Sequence, residues 1–280
     1  MLLVKRFFCV CIIAAFCHKA YSNQQVFTLT SDGPNQGLTA YQLIKEFGGE
    51  RSIESPDLYP DNHPDEKHIY EAVDDVVGNH FVFVLHRDLD KDRDKYIKFS
   101  DRQRNEIKAY SGSKQGLKGY EGDTMSYKWK FKLDPSMSLS KNFSHFFQLK
   151  SVDDGVGTPI LTISARTRGG ENWLAISHAA IKKKTVLDEI AWSEVPGGWL
   201  EAVCTVSYEN EGTLHLSVKR MFDSKTVLEY QSGNIDMWRG TQKEHFVRPK
   251  WGFYRSLKSK HMLKAEEDSI RFADFEVIKH

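Results

Sequence analysis

The sequence predicts an all-β protein made of two packed antiparallel sheets, and three observations carry that prediction. Residues 126–133 (Ser-Tyr-Lys-Trp-Lys-Phe-Lys-Leu) alternate polar and apolar without a break, as a strand with one buried face requires. Turn signals such as Arg168-Gly169-Gly170 and Glu209-Asn210-Glu211-Gly212 separate this run from similar ones. No long stretch with a 3.6-residue period interrupts them, which removes the helical alternatives.

Taken in order, residues 1–22 read as a removable export signal. Lys5 and Arg6 make a basic start, residues 7–16 an apolar run, and Ala20-Tyr21-Ser22 a small-x-small cleavage site. The apolar run is about half the roughly 20 residues a membrane span needs. Removing 22 of 280 residues leaves 258, with 36 of the 39 basic groups, all 38 acids and, of four cysteines, Cys204 alone.

A single cysteine rules out a disulfide scaffold and a cysteine-rich zinc module. A net charge near −2 gives no support to nucleic-acid binding, which usually needs a basic face. With 40% hydrophobic and 12% aromatic residues the chain can bury a core, so disorder is excluded. An exported, monomeric domain is expected, with no nucleic-acid or membrane partner and no organic cofactor.

Residues 23–79 mix turn formers (Gly33-Pro34, Gly48-Gly49, Pro56, Pro60, Pro64) with one short helical pattern at 39–47. They are expected to form an irregular segment wrapped on the main domain, which spans 80–280. Within that domain residues 81–85, 160–165, 199–206, 214–218 and 272–278 are strand candidates. Cys204, inside an apolar strand, reads as a buried, inert thiol.

Three further strands have unusual polar faces. In 102–108, Arg102, Arg104, Glu106 and Lys108 share one face; the acid can orient its neighbours so that a guanidinium grips a carboxylate at two points. In 143–150, Gln148 and Lys150 share a face while His145, Phe147 and Leu149 take the other. A core position for His145 is then expected unless the strand bends. In 248–256, Lys250, Gly252, Tyr254 and Ser256 share a face; a mid-strand glycine marks close approach of a ligand or another backbone. A tyrosine beyond it can exchange a proton.

These strings, Arg104-x-Glu106-x-Lys108, Gln148-x-Lys150 and Lys250-x-Gly252-x-Tyr254, resemble in content and order the motifs of β-jelly-roll polysaccharide lyases of the alginate lyase type. The fuller strings, residues 101–108 and 251–257, look closer to the glucuronan lyases of polysaccharide lyase family 20. The resemblance spans roughly residues 80–278. It departs at Lys108 (second arginine), Lys150 (histidine) and Ser256 (glutamine), and the missing histidine weakens an alginate assignment most.

The resemblance implies a jelly roll that cuts an acidic polysaccharide by β-elimination. Arg104 and Gln148 would neutralise the uronate carboxylate, with Lys150 or Lys250 adding charge. Tyr254 would act as acid, base or both, its phenol pKa lowered by cations, with His145 and His86 as reserve bases. Arg102, Glu106, Lys108, Lys150, Lys250 and Ser256 would contact substrate. It also implies a structural calcium, for which Asp274 is a candidate ligand. Residues 86–94 place acids at alternate positions but fail the EF-hand pattern, with Arg93 where glycine belongs and Phe99 where glutamate belongs; they read as a charged turn. The alternative function is a non-catalytic lectin on the same fold. Convergence of Tyr254, Arg104 and Gln148 in one cleft separates the two. Hydrolysis by two carboxylates ranks third.

Overall fold

The computed structural model describes residues 24–280, apart from 96, 97, 99, 154, 156, 181, 182 and 196; the expected export signal at 1–22 lies outside the described residues. The described chain runs β1 (Gln25–Leu29), α1 (Ala40–Gly48), β2 (Ile53–Glu54), β3 (Ile69–Asp74), β4 (Gly78–His86), β5 (Arg102–Lys108), β6 (Thr124–Leu133) and β7 (Ser144–Val152). It continues through β8 (Leu161–Arg168), β9 (Glu171–Ala180), β10 (Lys183–Ala191), β11 (Trp199–Ser207), β12 (Gly212–Arg220), β13 (Thr226–Ile235), β14 (Phe246–Ser256) and β15 (Glu267–Lys279).

Two antiparallel sheets result, as predicted. One has the order β13-β12-β11-β6-β15-β4-β3 with β1 added on β15; the other has the order β10-β9-β8-β7-β14-β5-β2. Their inner faces meet in an aromatic core. Trp129 of β6 lies 4.3 Å from Phe147 of β7 and 6.1 Å from Trp251 of β14, ring centre to ring centre. All three are fully buried, and truncating one to alanine costs about 3–5 kcal/mol. Cys204 lies in the same core, and burial pushes its thiol pKa up, as an inert thiol requires. Among the described residues no helix is long and apolar enough to cross a membrane.

The 23–79 segment is more regular than expected. It supplies β1 and β3 to one sheet and β2 to the other. These short strands escaped notice because their stabilisation comes from pairing with β15, β4 and β5, which are distant in sequence. The predicted helix is present as α1. Thr39 caps it in a reciprocal box with Gln42, and Ala40, Ile44, Phe47 and Gly48 form its buried stripe.

Candidate active site in the seven-stranded sheet

The outer face of the second sheet carries a cleft of about 590 Å3. Its register explains who lines it. β5 and β14 run in unbroken antiparallel register, with Lys250 opposite Lys108, Gly252 opposite Glu106, Tyr254 opposite Arg104 and Ser256 opposite Arg102. Both predicted polar rows therefore share one face.

Gly252 has φ +141°, and a Cβ there would lie 2.3 Å from the Asn105 carbonyl oxygen and 2.6 Å from the Glu106 Cα. The close approach signalled by this glycine is that of the neighbouring backbone.

His145 is the main departure from simple alternation. In β7, His145 faces Ser164 and Phe147 faces Ile163, so Phe146 is an extra residue, a β-bulge. Phe146 and Phe147 both go into the core. The parity of the strand changes there, and His145 emerges on the cleft face with Gln148. The core position expected for it is thus corrected by one inserted residue.

Arg102, Arg104, His145, Gln148, Lys150, Lys250 and Tyr254 all line the cleft. The Arg104 guanidinium stacks 3.7 Å from the centre of the Tyr254 ring, and Arg102 donates to the Tyr254 hydroxyl at 3.1 Å. The His145 ring stacks on Phe143 at 4.4 Å and lies 5.8 Å from Tyr254. Its Nδ1 is 2.6 Å from the Ser164 hydroxyl.

Three predicted contacts lie elsewhere in the structure. Glu106 is buried beneath the cleft surface, bonded to Arg104 at 2.5 Å, Lys250 at 2.6 Å and the Gln148 amide. Lys108 is held by Glu54 at 2.6 Å. Ser256 is buried where β14 ends, its hydroxyl 3.4 Å from the Asp101 carbonyl; neither Lys108 nor Ser256 is among the lining residues. His86 belongs to a separate cluster beside Asp90, outside the cleft.

The role expected for Arg104 needs correction. Its Nε and Nη2 donate to Asp92 at 2.8 and 3.3 Å while Nη1 is taken by Glu106. A guanidinium so engaged by two acids stacks and positions Tyr254; it is not open for a two-point grip on a uronate. The Gln148 amide nitrogen is likewise committed to Glu106. Arg248 and Lys150 stand directly opposite each other in register on β14 and β7 and both line the cleft. The Arg248 Nε is buried without a hydrogen-bond partner among the described residues, a donor that a carboxylate would satisfy.

Glu54 and Asp92 escaped the sequence reading. Glu54 sits in the two-residue β2, opposite Glu106. Two carboxylates side by side repel, and Lys250 joins them, at 2.7 Å from Glu54 and 2.6 Å from Glu106. Arg93 adds a 2.5 Å contact to Glu54. Burial opposes ionisation of Glu54, but Lys250, Arg104, Lys108 and Arg93 together hold its pKa well below the usual carboxylate range. The only signal for Glu54 in the sequence is an acid flanked by Ile53 and Ser55, which no periodicity rule selects. Asp92 belongs to the charged turn; burial raises its pKa, but Arg104 and Arg93 leave it net lowered.

Among the described residues eight basic side chains and two acids line the cleft, so cations gather there although the chain is nearly neutral. Burial, and then Lys184, Arg104 and Lys250, drive the His145 pKa well below that of free histidine. His145 is therefore a neutral imidazole at neutral pH. Burial is also the largest influence on Tyr254 and outweighs the opposing pull of Arg104, so its phenol pKa is raised. The lowering expected from nearby cations is overturned by desolvation. Burial depresses Lys150 and Lys250 to about 8.

Asp274 lies on the other sheet, at a bulge in β15 with φ +50°. Its carboxylate takes the Lys130 ammonium at 2.6 Å. An ammonium stands where a cation would have to sit, so this site does not fit the six to eight oxygen ligands calcium needs.

The two-sheet architecture is similar to that of solved polysaccharide lyases, as the expected jelly roll implies. A mutant of alginate lyase Aly36B, in complex with an alginate trisaccharide, is similar with a TM-score of 0.58. It is 9% identical over 90% of this chain and 97% of that one. The PL-14 alginate lyase of Aplysia kurodai has a TM-score of 0.55 at 11% identity, covering 90% and 97%. The endo-β-1,4-glucuronan lyase of the fungus Trichoderma reesei has a TM-score of 0.50 at 11% identity, covering 78% and 92%. No protein-family model and no curated protein sequence matches the chain.

Proposed function

We propose that this protein is a secreted polyuronate lyase that cleaves glucuronan, with alginate-like polymers second, by β-elimination. The convergence of neutral His145 and protonated Tyr254 in a cation-lined cleft carries this reading. The C5 proton of a uronate becomes removable only when the adjacent carboxylate is neutralised. Arg248 and Lys150 take that carboxylate. His145 accepts the C5 proton, and Tyr254 delivers a proton to the O4 leaving group. Arg104 and Arg102 fix the phenol.

The histidine absent from the aligned motif position is thus replaced by one that the bulge brings to the cleft. His145 and Tyr254 both act from the floor of one sheet, hence from one side of the sugar ring. Removal of H5 and departure of O4 on the same side is a syn elimination. Glucuronate and mannuronate present H5 and O4 that way, whereas guluronate presents them on opposite sides. This favours glucuronan and polymannuronate over polyguluronate, and the similarity to a glucuronan lyase structure supports putting glucuronan first.

Hydrolysis by two carboxylates needs one acid kept protonated. The acids that line the cleft, Glu54 and Asp92, are instead held ionised by their cations. Incubation with glucuronan, polymannuronate and polyguluronate, followed through the ultraviolet absorbance of the unsaturated product, tests the proposal. Turnover is expected on the first two. Binding without turnover on any polyuronate would leave the lectin reading in its place.

A further inference from the structure

A second constellation lies outside the cleft, where the 23–79 segment meets the end of β4. His63, His68, His86 and Asp90 each bring one ligand atom into a group whose members all lie within 4.8 Å of one another. The three imidazoles stand mutually perpendicular, with interplanar angles of 79°, 82° and 90° and centres 4.9–5.2 Å apart. His63 Nδ1 lies 2.8 Å and His68 Nε2 2.9 Å from Asp90 Oδ1. His86 Nδ1 lies 3.4 Å from His68 Nε2. In a tetrahedral zinc site with bonds of about 2.0–2.1 Å, neighbouring ligand atoms are roughly 3.3 Å apart. These three separations are close to that spacing, and the remaining pairs lie within 4.8 Å.

The contacts around the group turn one nitrogen of each ring and one Asp90 oxygen inward. His68 Nδ1 lies 2.7 Å from the Glu66 carbonyl, to which it must donate. Its Nε2 faces Asp90 Oδ1 at 2.9 Å and His86 Nδ1 at 3.4 Å, so an ion replacing the proton shared with Asp90 would meet that nitrogen's lone pair. His86 turns its Nε2 toward the Glu66 and Glu267 carboxylates, at 3.8 and 3.7 Å, and its Nδ1 inward. Asp90 Oδ2 is occupied by the His86 amide at 2.6 Å, which leaves Oδ1 for the centre. His68 thus has the donated outer N–H that usually supports a metal-binding imidazole.

We infer that His63, His68, His86 and Asp90 form a closed, structural site for zinc or a similar divalent transition metal. Nitrogen donors and a four-membered protein shell suit zinc rather than calcium or magnesium. The ion would pin residues 63 and 68 of the N-terminal segment to the 86–95 turn. Asp92 and Arg93 of that turn hold Arg104 and Glu54 in the cleft. The histidine centre rests on none of the lyase chemistry, and its test does not read activity.

The full chain, stripped with a chelator and desalted, is titrated with Zn2+ and followed by metal analysis and thermal unfolding. One ion per chain and a raised Tm are expected. His63→Gln, at the partly exposed edge of the group, should weaken Zn2+ binding by at least roughly 10–100-fold. His215→Ala, at an exposed histidine beside Glu229 and outside the group, should bind like the parent chain. Co2+ in the unmutated chain should give the intense visible bands of tetrahedral coordination, a readout that needs no variant. Failure to retain Zn2+ after desalting, equal retention by His63→Gln, or the weak spectrum of octahedral Co2+ would each overturn the assignment.

Discussion

His145 stands directly across from Tyr254 on adjacent strands, with ring centres 5.8 Å apart. The pairing depends on Phe146, the additional residue that turns His145 out of the core. A neutral imidazole beside a protonated phenol is an acceptor next to a donor, the pair that a concerted elimination needs. Changing Tyr254→Phe removes the donor and keeps the ring beneath Arg104. The expected result is a fall in kcat of about 10²–10⁴-fold with little change in unfolding free energy, read by product absorbance and urea melts. A variant with full activity would remove Tyr254 from the reaction.

His145→Ala should lower kcat by a similar factor and leave polymer binding largely intact. Binding is read separately by calorimetry with glucuronan on the inactive variant. Loss of binding equal to the loss of rate would make His145 a contact residue and not the base.

The pH profile of kcat/KM should be a bell. Activity should rise with pH as His145 loses its proton, with a midpoint below the ordinary histidine range because burial disfavours the imidazolium. It should fall as Lys150 and Lys250 lose their charge near pH 8, since the uronate carboxylate is then less neutralised. An acid limb with its midpoint at or above the ordinary histidine value of about 6.5 would contradict the His145 assignment, and a plateau unbroken to about pH 10 would contradict the lysine assignment.

These two lysines also bear on stability. Their folded pKa values lie below the unfolded value of about 10.4. Between about pH 8 and that value the unfolded chain binds more protons than the folded one. Their contribution to the unfolding free energy therefore rises with pH across that window and is flat below it. Urea unfolding at several pH values, compared with Lys150→Met, isolates the share of Lys150.

Glu54→Gln leaves Lys250 and Lys108 without the charge that each contacts within 2.7 Å. Removing one partner of a buried charged group costs roughly 3–5 kcal/mol, so a marked fall in the urea midpoint is expected. An unchanged midpoint would mean that Glu106 alone neutralises Lys250.

The sequence by itself determined the fold class and most of the cleft floor. Period-two alternation is a local property, so β5, β6, β7 and β14 and the polar faces of β5 and β14 were readable without knowing their neighbours. The three ordered motifs likewise brought Arg104, Gln148, Lys250 and Tyr254 to one surface. The tertiary structure decided what depends on register and burial. One extra residue in β7 reversed the face of His145, because a strand's sides swap with each residue inserted. Desolvation raised the Tyr254 pKa against the pull of its cations. The acids Glu54 and Asp92, from a two-residue strand and a turn, took up Arg104 and closed it to the carboxylate grip expected of it. Such pairings join residues as far apart as Glu54 and Lys250, and no local pattern in the chain encodes their distance.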